Sequence, residues 1–185
     1  MRARIHYNAP VILTFALLSL GVLVVGALTG GWTTSRFFCI YRAPLSDPLT
    51  YVRMVGHVLG HGDYAHYLGN MMLLLVVGPP LEEKYGSRKL LFCILVTALV
   101  SGLVQFVLFP GTALLGASGI VFMMIVLSSL AGMKEGSIPL TLILVVILYL
   151  GGELWDALTV RDSVSQLTHI VGGACGAALG FGMKR

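Results

Sequence analysis

Ser118 sits among small residues in Gly116-Ala117-Ser118-Gly119, at the head of an apolar run from Ile120 to Ala131. A membrane-spanning helix needs about 20 residues to cover roughly 30 Å at 1.5 Å each. This run ends near Lys134 after only about 14 to 16 residues, so its first residue is expected about 6–9 Å below the outer surface. A hydroxyl at that depth, supplied with a base, oxyanion donors and water, is equipped for acyl transfer. On its own, Gly-x-Ser-Gly fits helix packing better than catalysis, because small residues line helix contacts throughout membrane proteins.

A second element shifts that balance. Gly172, Gly176 and Gly180 form an i, i+4 row, with Gly173 and Ala177 beside it. Such a row lets a neighbouring helix approach closely. His169, three residues before Gly172, shares that face. If its helix enters the membrane near Ser163, His169 lies about 9 Å down, the depth expected for Ser118. An ionisable group inside a membrane segment is a functional hypothesis by default; the alternative is a neutral imidazole bridging two helices. No Asp or Glu falls in the apolar part of any segment to orient the ring. The expected unit is therefore a Ser–His pair rather than a triad. His169 would take the hydroxyl proton and later protonate the leaving amine. Phe122, one turn below Ser118, is placed to stack on the imidazole, although core packing is the commoner use of such a residue.

The third constellation runs from Arg53 through His57, His61 and His66 to Asn70. His66 and Asn70 are four apart and share a helix face, where both could donate to a developing oxyanion together with the Ser118 backbone N–H. Each such donor is typically worth 10²–10³ in rate. His61 and His57 precede that helix among glycines, where they could brace the loop or hold water. Clustered histidines also suit a metal, but the carboxylate base of a His-Glu-x-x-His site is missing. Gly60 and Gly62 also argue against one helix carrying all three rings. Neither a metal nor another cofactor is expected.

The elements that must position these groups follow from composition. The 185 residues are 57% hydrophobic and 11% charged, against about 45–50% and 25% in soluble domains. An all-α, polytopic membrane protein is expected, as a single domain over residues 1–185. The net charge of +4 comes from small basic groups at segment ends, which argues against a nucleic-acid partner. Cys39, Cys93 and Cys175 form no Cys-x-x-Cys pair, so neither a disulfide framework nor a thiolate zinc site is expected. Residues 10–28 follow a basic start but are too long for the 7–15-residue core of a signal peptide.

Six segments are expected, at about 10–28, 64–81, 89–109, 118–132, 138–151 and 164–183. Arg2, Arg4, Lys84, Arg88, Lys89, Lys134, Lys184 and Arg185 then fall on one side, with Arg36, Arg42, Arg53 and Arg161 on the other. The positive-inside rule puts both termini in the cytoplasm, with the site opening to the outer side of the inner membrane. The outer connection, 29–63, is rich in aromatics and proline and suits a structured loop partly in the interface. It reads equally well as an anchor and as a substrate-contacting loop. Pro79-Pro80 are expected to stop the second helix by removing donors, and the charges of Glu82, Glu83 and Lys84 are read as solvated. The uncharged stretch 109–115 is free to dip into the protein ahead of Ser118.

Together, His61-x4-His66-x3-Asn70, Gly116-x-Ser118-Gly119 and His169 with Gly172-x3-Gly176 resemble the rhomboid intramembrane serine proteases. The likeness runs from about Arg53 to Phe181. It implies Ser118 as nucleophile, His169 as base and His66 and Asn70 as oxyanion donors. Gly116, His61, His57 and Phe122 would play supporting parts, and Glu82 would be the carboxylate of the turn after the second helix. It further implies cleavage of transmembrane protein substrates, near their outer ends and after a small residue, within the lipid bilayer. Lateral entry would use the fifth helix and the loop 151–162. The chain departs from the family's Trp-Arg pair with Val52-Arg53 and has Phe122 where bacterial members often have Tyr; Gln105 resembles a glutamine that some members use to pass water. The competing reading is a catalytically silent relative that binds or escorts membrane clients. A small transporter is disfavoured, because no intramembrane carboxylate or inverted repeat stands out.

Overall fold

A computed structural model describes residues 6–131 and 163–183, with isolated positions between 137 and 147. The expected fifth segment and the loop 151–162 therefore lie mostly or wholly outside the described residues. So do Arg2, Arg4, Lys134, Arg161, Lys184 and Arg185.

The described chain is helical: α1 Pro10–Leu28, α2 Trp32–Phe37, α3 Pro48–Gly56, a 3-10 turn His57–Leu59, α4 Tyr64–Tyr85, α5 Ser87–Leu108, α6 Ser118–Ala131 and α7 Ser163–Gly182. Among the described residues, α1 and α5 are each long and apolar enough to cross a membrane, whereas α6 is apolar but only 14 residues long. Large apolar side chains are exposed outwards, including Leu17, Leu18 and Leu28 of α1, Met72 and Val76 of α4, and Phe92, Leu103 and Val107 of α5. A helix wrapped in apolar side chains belongs in lipid.

The interior is organised around α6. Ile120, Met123, Met124 and Leu127 are fully buried and join Leu74 of α4, Leu90 and Cys93 of α5 and Ile12 of α1 in one core. The most extensive helix pair is α6 with α7, and glycine is the reason. A Cβ on Gly172 would stand 2.2 Å from the Gly119 carbonyl oxygen, and one on Gly176 would stand 2.5 Å from that of Met123. Those separations are far inside an ordinary C···O contact of about 3.3–3.6 Å, so only hydrogen fits there. Gly102 of α5 likewise meets the Met54 carbonyl of α3, which seats the outer loop on the bundle.

Two expectations are corrected. The prolines do not end the second helix: α4 runs through Pro79 and Pro80 to Tyr85 and ends at Gly86, with φ +82°. Proline lacks a donor but has helix-compatible φ, and membrane helices tolerate the lost bonds where neighbours compensate. Nor is Glu82 solvated. It is 4% exposed and lies in the last turn of α4 rather than in a turn after it. Its carboxylate accepts from the backbone N–H groups of Val11 and Ile12 at 2.9 and 3.1 Å and from the Ser87 hydroxyl at 2.7 Å. A buried carboxylate at a helix N-terminus satisfies orphan donors and meets the positive end of the dipole. It ties α1 to α4, and that attachment holds the last turn of α4 in register beyond the prolines.

The outer loop is built on Arg53, whose side chain is fully buried. Its guanidinium donates to the Asp47 carboxylate at 2.7 Å, to the Arg36 carbonyl at 3.2 Å and to the Thr50 hydroxyl at 3.2 Å, and lies 4.6 Å over the Tyr41 ring. The bond from Arg53 holds the Asp47 carboxyl below the usual carboxylate range. Asp47 also caps α3 by accepting from Leu49 N–H. Arg53 therefore anchors the loop with Val52 before it in place of tryptophan.

Candidate active site

The stretch 109–117 carries the chain from α5 into α6, and the outer loop fixes its backbone. Ile40 and Leu114 exchange two N–H···O bonds of 2.9 Å, and Gly116 N–H donates to the His57 carbonyl at 3.0 Å. From below, the Gln105 amide donates to the Thr112 carbonyl and hydroxyl at 3.2 and 3.0 Å. These bonds hold the turn in which Gly116 takes φ +126°, a value that L side chains rarely adopt. Ala117 is buried, and Ser118 opens α6 half-buried.

Glycine at 116 is needed twice. A Cβ there would lie 2.8 Å from His66 Nε2, so the imidazole rests directly against the backbone two residues before the serine. His66 is on the first turn of α4, whose N-cap Asp63 accepts its backbone N–H at 2.8 Å. Asn70, one turn on, is buried, and its amide nitrogen donates to the His66 carbonyl at 3.1 Å. An amide carries two N–H groups, so a second donor is left to Asn70.

His169 lies on α7 next to the crossing with α6. Thr168 packs its Cγ2 and carbonyl at 3.2 and 3.4 Å from the position of a Gly119 Cβ, and Gly172 meets Gly119 backbone to backbone. The crossing point is therefore the residue after Ser118 on one helix and the residues flanking His169 on the other. The His169 ring, half-buried, lies 4.7 Å from that of Phe122 at an interplanar angle of 35°, a tilted ring contact.

The other two histidines are placed differently. His61 stands edge-on to His66, with centroids 5.0 Å apart, and its Nδ1 is 3.2 Å from the Leu59 carbonyl. His57 contributes through its carbonyl, while its ring Nδ1 lies 3.2 Å from the Arg53 carbonyl. Burial pushes the imidazole of each down to about 4, assisted at His61 by the neighbouring His66, so both are neutral near pH 7. Among the described residues, no group of three or more His, Cys, Asp or Glu side chains is arranged to hold a metal ion.

On α5, Thr97 and Ser101 extend Gln105 into a polar row that no sequence motif includes. Thr97, Ser101 and Gln105 are buried at i, i+4 and i+8, and Ser101 Oγ approaches the Gly119 Cβ position at 3.5 Å. The signal was present: three polar residues at helical spacing in an otherwise apolar segment mark its inward face.

Comparison with known proteins matches residues 48–185 to the Rhomboid domain model. The chain therefore belongs to the rhomboid family. It is 33% identical to Rhomboid protease GlpG of Pectobacterium atrosepticum over 70% of this chain and 47% of that protein. It is 27% identical to Rhomboid-related protein 2 of Mus musculus over 93% of the chain and 64% of that protein. GlpG of Yersinia pestis is 27% identical over 93% and 62%. The aligned region thus spans about half to two thirds of these relatives.

Proposed function

We propose that this rhomboid-family membrane protein is a serine endopeptidase that cleaves transmembrane segments of other proteins near their outer ends. The observation that carries the proposal is the α6–α7 crossing at Gly119 and Gly172, which adjoins Ser118 on one helix and lies one turn from His169 on the other. The contact of Phe122 with His169 and of His66 with Gly116 supports it from either side.

In this reading Ser118 Oγ attacks the scissile carbonyl as His169 accepts its proton, giving a tetrahedral intermediate. The oxyanion is met by the Ser118 N–H, His66 and Asn70. His169 protonates the leaving amine, and a water molecule, deprotonated by the same imidazole, hydrolyses the acyl-enzyme. His66 is seated for this role by the His61 ring at its side and by the Asp63 carboxylate that accepts its backbone N–H. The wider arrangement is a single domain over residues 1–185 with six spans. Its termini lie in the cytoplasm, its site opens outwards and its substrates arrive through the bilayer of the inner membrane.

The test uses the purified chain in detergent with a reporter whose transmembrane helix carries a helix-weakening segment. The wild-type chain cleaves it and Ser118→Ala does not. A fluorophosphonate labels Ser118 in the wild type. Cleavage by the alanine variant ends the serine assignment. Absence of both cleavage and labelling in the wild type favours a protein that only holds membrane clients.

A further inference from the structure

The histidine that rests on Gly116 is held from behind by a short aromatic chain, and that chain ends on a different helix. His66 is met edge-on by His61 at 5.0 Å and 69°. His61 is met edge-on in turn by Tyr67 at 5.5 Å and 84°. The Tyr67 hydroxyl donates to the Ala16 carbonyl of α1 at 3.2 Å, and Tyr64 stacks on Tyr67 from the preceding turn at 6.3 Å. His66 and Tyr67 are consecutive on α4, so their side chains diverge by about 100°, and the His61 ring fills the angle between them.

We infer that Tyr67 is a positioning residue for the oxyanion site, keeping His61 upright against His66 and thereby linking the tilt of α1 to the placement of that donor. The inference rests on the proposed function, since it gives His66 a catalytic task.

The physical argument turns on what holds His61. Its Nδ1 is paired with the Leu59 carbonyl, and its buried Nε2 has no hydrogen-bond partner among the described residues. One bond leaves an imidazole free to swing about that anchor, and only ring contacts fix its tilt. Tyr67 supplies the contact opposite His66. Its own ring cannot rotate away without giving up the bond to Ala16, and Ala16 is buried in α1. Displacing His61 would unseat His66, and a donor misplaced by about 1 Å costs up to about 10² in rate.

The Tyr67 ring also covers one side of His61, which is 2% exposed. His61 borders a cavity of about 630 Å³ between α1, α2 and the start of α4. Asp63 and Tyr64 are the other titratable groups on that wall; α1, α2 and Leu115 contribute only apolar, glycine and hydroxyl residues. His66 and Tyr67 face it from α4. Removing the Tyr67 ring would admit water to the imidazole. Its protonation would then move up towards the ordinary histidine range, and the charged ring would leave its seat behind His66.

The experiment compares wild type, Tyr67→Leu and Tyr67→Phe in the reporter assay, with kcat, KM, the pH profile of kcat/KM and fluorophosphonate labelling rate. For Tyr67→Leu we expect kcat to fall about tenfold, part of the 10²–10³ of a donor lost outright, with KM within about twofold. Labelling should slow in parallel, and the acid limb should move to higher pH. Tyr67→Phe keeps the ring but loses the bond to Ala16, so it should restore the wild-type acid limb and give a kcat between those of Tyr67→Leu and wild type. Tyr67→Met, which is longer and more flexible than leucine and fills irregular gaps, takes the place of Tyr67→Leu if that variant does not fold. Unchanged kcat and acid limb in the ring-deleted variant, or a loss of kcat that Tyr67→Phe does not recover even in part, overturns the inference. Either result leaves the serine mechanism standing as long as Ser118→Ala is inactive.

Discussion

Replacing Gly172 with alanine tests the geometry on which the proposed chemistry depends. The added Cβ would lie 2.2 Å from the Gly119 carbonyl oxygen, 2.9 Å from its carbon and 3.0 Å from its Cα. All three atoms are backbone, so no rotamer change relieves the clash. Restoring an ordinary C···O separation of about 3.3 Å requires α6 and α7 to move apart by about 1 Å at the crossing. Ser118 precedes Gly119 and His169 is one turn before Gly172, so the whole displacement falls between the proposed nucleophile and base. A shift of about 1 Å at a reacting pair costs about 10² in rate, and overpacking costs about 1–3 kcal/mol in stability. Gly173→Ala is the matched control, because its Cβ would meet only Val126 Cγ2 at 3.8 Å. The assay is reporter cleavage and fluorophosphonate labelling, with thermal melting of each variant in the same detergent. Gly172→Ala should lose about 10² in kcat with KM little changed, while Gly173→Ala stays near wild type. A Gly172→Ala protein with wild-type kcat, or equal losses in the two variants, would refute the claim that this crossing sets the distance.

Gly116→Ala imposes φ +126° on a residue with a side chain and presses its Cβ to 2.8 Å from His66 Nε2; we expect kcat to drop by about 10², measured by reporter cleavage, with a smaller change in melting temperature. Glu82→Gln weakens three bonds to a buried carboxylate and removes charge from the N-terminus of α1. Thermal melting should show a loss of about 1–2 kcal/mol, with residual cleavage by the folded fraction. Stability should also depend on pH through His57, which is 1% exposed and held down to about 4 by burial. The unfolded chain, with an ordinary histidine value near 6.5, binds the proton first. The contribution is therefore complete above about pH 6.5, declines by about 3 kcal/mol as pH falls towards 4 and is flat below. His57→Phe and His61→Phe should each reduce the decline in denaturant titrations at pH 7, 5.5 and 4.5, since burial holds both imidazoles near 4.

Much of the site was legible along the chain because its signals are local. A serine heading a run too short to span, a histidine in phase with a glycine row and two polar side chains four residues apart are statements about helical period and length. Helices α1, α5, α6 and α7 begin and end within two residues of the expected limits, since an apolar segment in lipid must satisfy its own backbone. The pairing of Phe122 with His169 also followed, because both residues lie on faces that small neighbours bring together. The three histidines before Asn70 were likewise seen to lie on separate elements, since Gly60 and Gly62 interrupt the helix.

What only the tertiary structure decided are contacts between groups far apart in sequence. Glu82 reads as a solvated charge until the N-terminus of α1 arrives beside it. The prolines read as a stop until that attachment holds the last turn of α4 in place. His57 offered an imidazole on paper, yet it joins the site through its carbonyl, because the strap formed by Ile40 and Leu114 brings Gly116 to it. Tyr67 carried no motif at all; its place depends on where α1 crosses α4. Period and hydropathy specify which face a residue occupies and how deep it lies. Which partner satisfies its polar atoms is settled only when separate helices meet, since a buried donor, acceptor or charge takes whatever the packing places within about 3 Å.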